Sequence, residues 1–186
     1  MAQKIKIAFI LLVLLSLVFL AVIVLPKPLP GPEAFFAYGA SLEFSTMRAR
    51  AGGFANETPA ALLGYRLVFQ TNRHSEFGVA NIVPDENSQV PGAVYFLSGE
   101  QAMALDGNSG SPGFYRKIPV TVTASNGSTI NAVTYALSGS PTFAPPALAT
   151  MQAASKGLQQ FGYAKSEQDK LAAAAAEAAQ KKGNRN

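Results

Sequence analysis

Cysteine and tryptophan are absent from this chain, and histidine occurs once, at His74. Without cysteine no disulfide can brace the fold, and with one histidine the common zinc sites cannot be assembled. Charged residues make up 14% of the chain, and the net charge of +4 gathers at its ends. Lys4 and Lys6 stand near the start, while Lys181, Lys182 and Arg185 stand in the tail. Between them runs no basic stripe interleaved with aromatics, which excludes the usual nucleic-acid footprint. A solvated tail that touches anionic lipid is the simpler reading.

What the chain does have is a long apolar run, Ile7 to Leu25, broken by Ser16. It suffices to cross a hydrocarbon core of about 30 Å as one helix. A cleaved signal would be shorter and would offer a small-x-small site, which Ile23-Val24-Leu25-Pro26 does not. The sequence therefore predicts a retained single-pass anchor over 1–26, with membrane lipid as a partner. Lys4, Lys6 and the amino terminus outweigh Lys27, so the expected arrangement is a cytoplasmic N-terminus and an extracytoplasmic head. Arg48 and Arg50 lie close enough to weaken that bias. Pro26, Pro28, Pro30 and Pro32 make residues 27–33 a short stiff spacer. About 150 residues then remain, enough for one domain with a real core.

Along that head, Phe35–Tyr38 reads as a buried strand ending at Gly39, and Leu62–Thr71 as a second. Gly78–Val83 and Val90–Leu97 read as a hairpin around Pro84, Asp85, Asn87 and Ser88. Ser98 with Gln101 forms a capping box for a short helix to Leu105, and Gly107–Gly113 follows as a glycine-rich loop. Tyr115–Ala124 and Thr129–Ser138 flank an Asn126-Gly127 turn. From Pro145 the period turns helical, first to Gly162 and then from Ser166 to Gly183. Strands followed by helices predict an α+β domain over 34–165, with an alanine-rich helix and basic tail over 166–186.

Several of these segments, in order, carry a family resemblance. Phe36-Ala37-Tyr38-Gly39-Ala40-Ser41-Leu42 resembles the F-x-Y-G-S-N-L loop of the γ-glutamylcyclotransferases. Leu63–Phe69, Gly78–Pro84, Val90–Tyr95, Leu105-Asp106 with Tyr115-Arg116, and Ala132–Leu137 resemble the blocks that follow it, and Ser155–Leu158 falls in a helix the family also has. The resemblance implies a small mixed β-barrel with flanking helices. It also implies an enzyme that cyclises a γ-glutamyl group and releases 5-oxoproline, after a carboxylate takes a proton from the substrate amine. In the family that carboxylate is a Glu in L-D-x-x-E-G. Here the stretch reads Leu105-Asp106-Gly107-Asn108-Ser109-Gly110, which sets Ser109 at the base position. A serine hydroxyl takes no proton from an ammonium near neutral pH without another base.

Asp106 is then expected to be structural and Glu100 to be a solvated helix residue. A remnant pocket is expected around Tyr38, Gly39, Ala40, Ser41, Leu42, Tyr115 and Tyr135, where backbone N–H groups of Gly39–Leu42 remain able to meet an anion. No catalytic residue, cofactor or metal is implied.

Gly107–Pro112 also resembles the nucleophile loop of glutamyl endopeptidases, and Thr71–His74 their histidine segment. His74 and Ser109 stand too close in the chain for that double-barrel fold. His74 reads instead as an exposed loop residue. The functional expectation is a non-catalytic, membrane-anchored module serving as an accessory subunit among integral-membrane proteins. The alternative is an active cyclotransferase with a non-standard base.

Overall fold

The computed structural model describes residues 31–73 and 75–184. The predicted anchor, most of the spacer and His74 lie outside the described residues. Among the described residues no helix is long and apolar enough to cross a membrane.

Six strands form one sheet: β1 Glu33–Ala37, β2 Asn56–Thr71, β3 Val79–Leu97, β4 Tyr115–Ala124, β5 Thr129–Leu137 and β6 Thr142–Phe143. Their order is β3-β1-β5-β4-β2-β6, and β2 also pairs with β3, so five strands close into a barrel with β6 on the outer edge of β2. The β1–β5 contact is parallel, at Phe35 and Val133, and the others are antiparallel. Closure leaves few unpaired edges. Its interior is apolar, with Phe36, Phe69, Val90, Val94 and Tyr95 all fully buried. The expected α+β barrel is therefore present.

One glycine allows the strands to pack this closely, and a second permits the backbone turn within β2. A Cβ on Gly92 would overlap the Ala37 carbonyl oxygen and the Phe36 ring, so the ring lies over bare backbone. Gly64, at φ +75, occupies a left-handed conformation that glycine adopts without strain.

The hairpin expected within Gly78–Leu97 is a correction. That segment is one 19-residue strand, and its partner throughout is β2. The ladder shifts register at Gly64: Leu63 pairs with Gln89 and Tyr65 with Pro84, so residues 85–88 bulge outward. The turn chemistry of the sequence is satisfied inside that bulge, where the Asn87 N–H and the Ser88 hydroxyl donate to the Asp85 carboxylate at 3.3 and 3.0 Å. Bulges of this kind bend a strand without ending it.

Four α-helices complete the head: α1 Phe44–Ala51, α2 Gly99–Ser109, α3 Leu148–Gln160 and α4 Lys165–Gly183. The capping box at Ser98 and Gln101 is present in both directions. Helix α2 runs further than expected, through Gly107 and Asn108 to Ser109, because Leu105 and Ser109 both turn into the core and Gly110 supplies the left-handed cap. Helix α3 begins at Leu148, not at Pro145, because Gly78 bridges to Pro146 and the Gly78 N–H donates to the Pro145 carbonyl. Helix α4 lies on the barrel through buried Leu171 and Ala178 and an Arg66–Glu177 ion pair at 3.0 Å. The turn at Asn126-Gly127 joins β4 to β5 as expected.

Candidate functional site

Immediately after β1 the chain makes a single 3₁₀ turn, Gly39–Leu42. Gly39 has φ +59, and a Cβ there would collide with that of Ala80. Position 39 is thus restricted to glycine by both conformation and contact. Helix α3 presses on the same turn through Gly157, whose Cβ would stand 2.8 Å from the Glu43 nitrogen. The turn is therefore clamped between a strand and a helix.

Under it lies a cavity of about 70 Å³, lined by Phe35, Phe36, Tyr38, Ala40, Ser41, Arg50, Val79, Ala80, Tyr115, Tyr135 and Thr150. The structure thus brings together Tyr38, Ala40, Ser41, Tyr115 and Tyr135 of the predicted set. Gly39 and Leu42 are buried in the turn itself rather than lining the cavity. The Leu42 carbonyl accepts a hydrogen bond from the Tyr95 hydroxyl at 2.7 Å.

Two residues of the lining went unforeseen as site residues, Arg50 and Thr150. Arg50 lies on α1, which sequence reading missed because its cap is Glu43 rather than Ser, Thr, Asp or Asn. The Gly52-Gly53 pair was the available signal, since Gly52 closes α1 in the left-handed conformation. Arg50 Nη1 donates to Ser41 Oγ at 2.8 Å. The Asn108 amide donates to the Arg50 carbonyl at 2.7 Å and ties the end of α1 to α2.

The hydroxyls are firmly committed. Tyr38 donates to the Tyr135 carbonyl at 2.6 Å, and Tyr135 donates to Asp106 Oδ1, also at 2.6 Å. Asp106 Oδ2 pairs with the Lys117 ammonium at 3.0 Å, and Lys117 reaches on to Glu33 at 2.8 Å. Asp106 thus belongs to a chain of bonds running from the start of β1 to the cavity wall.

Burial raises all three phenols. Tyr38 is pushed well above the ordinary value by burial and then by Tyr115. Tyr115 is pushed up to about 12 by burial, with Arg50 working against the rise. Tyr135 is raised by burial and then by Asp106. None of them accepts a proton near neutral pH.

Ser109 is buried, and its hydroxyl has no hydrogen-bond partner among the described residues. Glu100 is exposed on α2, as expected. Glu43 is buried, but it is consumed as the α1 cap and paired with Lys156 at 2.9 Å. Among the described residues no carboxylate lines the cavity. No cluster of His, Cys, Asp or Glu suited to a metal occurs among them either.

A larger cavity of about 560 Å³ lies between α3, α4 and the bulge of β3. Gly39 is its one link to the predicted set. Its charged side chains are already paired, Arg66 with Glu177 and Lys170 with Glu167.

Asp106→Asn should weaken the bond chain by about 1–2 kcal/mol, a figure discounted for the partial exposure of the ion pair. A lowered urea midpoint with an unchanged m-value would show it. A variant as stable as the parent would mean that Lys117 and Tyr135 find other partners.

The profile of the family described as "Gamma-glutamyl cyclotransferase, AIG2-like" matches residues 35–152. A solved structure described as a gamma-glutamyl cyclotransferase is 25% identical, with a TM-score of 0.67 over 76% of this chain and 87% of the other. A human protein described as uncharacterized is likewise 25% identical, with a TM-score of 0.68 over 77% of this chain and 88% of the other. A yeast gamma-glutamyl cyclotransferase specific to glutathione, 13% identical, shares the fold at a TM-score of 0.56 over 81% of this chain and 97% of the other. No curated protein matches the chain.

Proposed function

This chain belongs to the gamma-glutamyl cyclotransferase, AIG2-like family, and from that premise we propose that it binds without cyclising. In this reading it is a membrane-tethered module that serves as an accessory subunit among integral-membrane proteins. One observation carries the non-catalytic half: among the described residues the cavity under Tyr38 has no acidic side chain in its lining, and its charged member is Arg50. Cyclisation begins with removal of a proton from an ammonium, a task for a carboxylate within hydrogen-bond reach. Ser109 stands where the family resemblance sets that carboxylate, and a neutral hydroxyl cannot replace it.

The neighbouring acids are occupied. Asp106 is held by Lys117 and Tyr135, and Glu43 by α1 and Lys156. Size argues the same way. At about 70 Å³ the cavity falls well below the roughly 300 Å³ at which small-molecule sites begin. The tether rests on the apolar run at Ile7–Leu25 and its flanking lysines. A cyclase acting on soluble peptides needs no such anchor, whereas a subunit does.

The full-length protein in mild detergent, incubated with γ-glutamyl amino acids, is expected to release no 5-oxoproline above the rate of buffer alone. Sustained turnover lost in Asp106→Asn would establish the alternative, an active cyclotransferase with a non-standard base. Gentle solubilisation of the native membrane is expected to bring the chain out with larger membrane proteins. Recovery as a lone monomer at every detergent strength would overturn the subunit role.

A further inference from the structure

We infer that the cavity of about 560 Å³ beneath α4 is a binding site for a neutral, mostly apolar molecule that carries one hydrogen-bond donor. This goes beyond the reading above. The lining shares no residue with that of the cavity under the 3₁₀ turn, and the site asks nothing of cyclisation. Its volume falls inside the roughly 300–1,000 Å³ that small-molecule sites occupy.

The sequence makes this space in two ways. Ala173 and Ala174 on α4 and Ala154 on α3 bring methyl groups to its wall, where longer side chains would fill the gap. Buried Leu171 and Ala178 fasten α4 to the barrel on either side of Ala174, so the helix spans the gap instead of collapsing into it. On the opposite wall the bulge of β3 supplies a polar rim through Asn87, Ser88 and Gln89. Leu67, Pro91 and Leu158 make the interior apolar.

Charge decides the class of ligand. The lining carries two acids and two bases, and they are matched, Glu167 with Lys170 at 2.8 Å and Glu177 with Arg66 at 3.0 Å. An ion entering this space would therefore meet no free counter-charge and would lose its hydration uncompensated. One need remains. Glu167 Oε1 accepts from Lys170, whereas Oε2 is buried and has no hydrogen-bond partner among the described residues. A carboxylate whose charge is matched but whose second oxygen lacks a donor is completed by a neutral O–H or N–H.

The test titrates the full-length protein in detergent at neutral pH with naphthol, its methyl ether or sodium naphthoate. Binding heat is followed by calorimetry, and the heat in protein-free micelles is subtracted. Naphthol is expected to bind saturably. The ether, which has no donor, should bind about tenfold more weakly, the scale of a hydrogen bond to a charged acceptor, and naphthoate more weakly than naphthol. Glu167→Met keeps the length of the side chain without its acceptor, and should bring naphthol and the ether to equal affinity. Ala174→Trp should weaken both by about tenfold or more by filling the space.

If Ala174→Trp does not fold, Ala173→Trp, at an exposed position, decides the matter. No saturable heat, naphthoate bound as tightly as naphthol, a preference for naphthol that survives Glu167→Met, or full binding by the tryptophan variants would each overturn the inference. Release of 5-oxoproline from γ-glutamyl substrates would instead overturn the non-catalytic reading, so the two failures are separately visible.

Discussion

Glu43→Ala is expected to cost about 3 kcal/mol, the sum of a lost helix cap and lost charge-assisted hydrogen bonds at a buried site. The carboxylate is 4% exposed. Its Oε2 accepts from the Thr46 N–H at 2.7 Å, the Thr46 hydroxyl at 2.9 Å and the Ser45 hydroxyl at 2.5 Å. Burial by itself would raise this carboxyl, but the bonds from Ser45, Lys156 and Thr46 outweigh it and hold it far below the ordinary value. The sign of the pH dependence follows. A depressed folded value means the contribution is complete above the unfolded carboxyl range, near pH 4.5, and is lost as pH falls below it. Urea unfolding of the parent should weaken steadily from about pH 5 downward. Glu43→Gln, which keeps an acceptor but no titratable charge, should lack that component. Equal pH slopes in the two proteins would mean that Glu43 is not ionised in the fold.

Gly92→Ala should be the other costly substitution. Gly92 has an ordinary backbone conformation, so the penalty is one of contact. The new methyl group would overlap the Ala37 carbonyl and the Phe36 ring. The flanking backbone has little room to yield. The Tyr163 hydroxyl bonds the carbonyls of Gly92 and Ala60 at 2.7 and 2.8 Å. Overpacking of this kind costs about 1–3 kcal/mol and reaches the upper end where backbone must move. Phe36 also lines the cavity, so the displacement should reach its wall. The alanine control Gly127→Ala meets no atoms within 4 Å, although φ is +83 there. It should cost about 1 kcal/mol from backbone strain alone. If Gly92→Ala proves as mild as that control, the packing account of β1 and β3 is wrong.

The parts of the fold legible in sequence were those encoded by neighbouring residues. Asn126-Gly127 makes its turn locally, and Ser98 with Gln101 closes its own capping box, so β4, β5 and the start of α2 could be read directly. The bulge at Asp85–Ser88 could not. Its residues form the same local bonds a hairpin would use, and what keeps β3 whole is a distant partner, the 16-residue strand β2. Gly107 and Asn108 misled for a related reason. Their turn propensity is overridden by the burial of Leu105 and Ser109 on either side. At the site, Tyr38, Ala40, Ser41, Tyr115 and Tyr135 were legible through the family resemblance. Arg50 was read as a charge near the membrane, because nothing local announces that α1 swings it under Ser41. Its place is fixed by the Glu43 cap and by Asn108, 58 residues away.

The bond chain from Glu33 through Lys117 and Asp106 to Tyr135 gives the head a mechanical character. Glu33 opens β1, which is joined to β3 over five residue pairs, from Glu33–Leu97 to Ala37–Ala93. A pull applied to Glu33 along that strand would load its hydrogen bonds in shear together instead of opening them one after another. Lys117 clamps the point where the load enters. The strand that would take up such a load is thus the one whose far end shapes the cavity floor, and strain on one would be felt at the other.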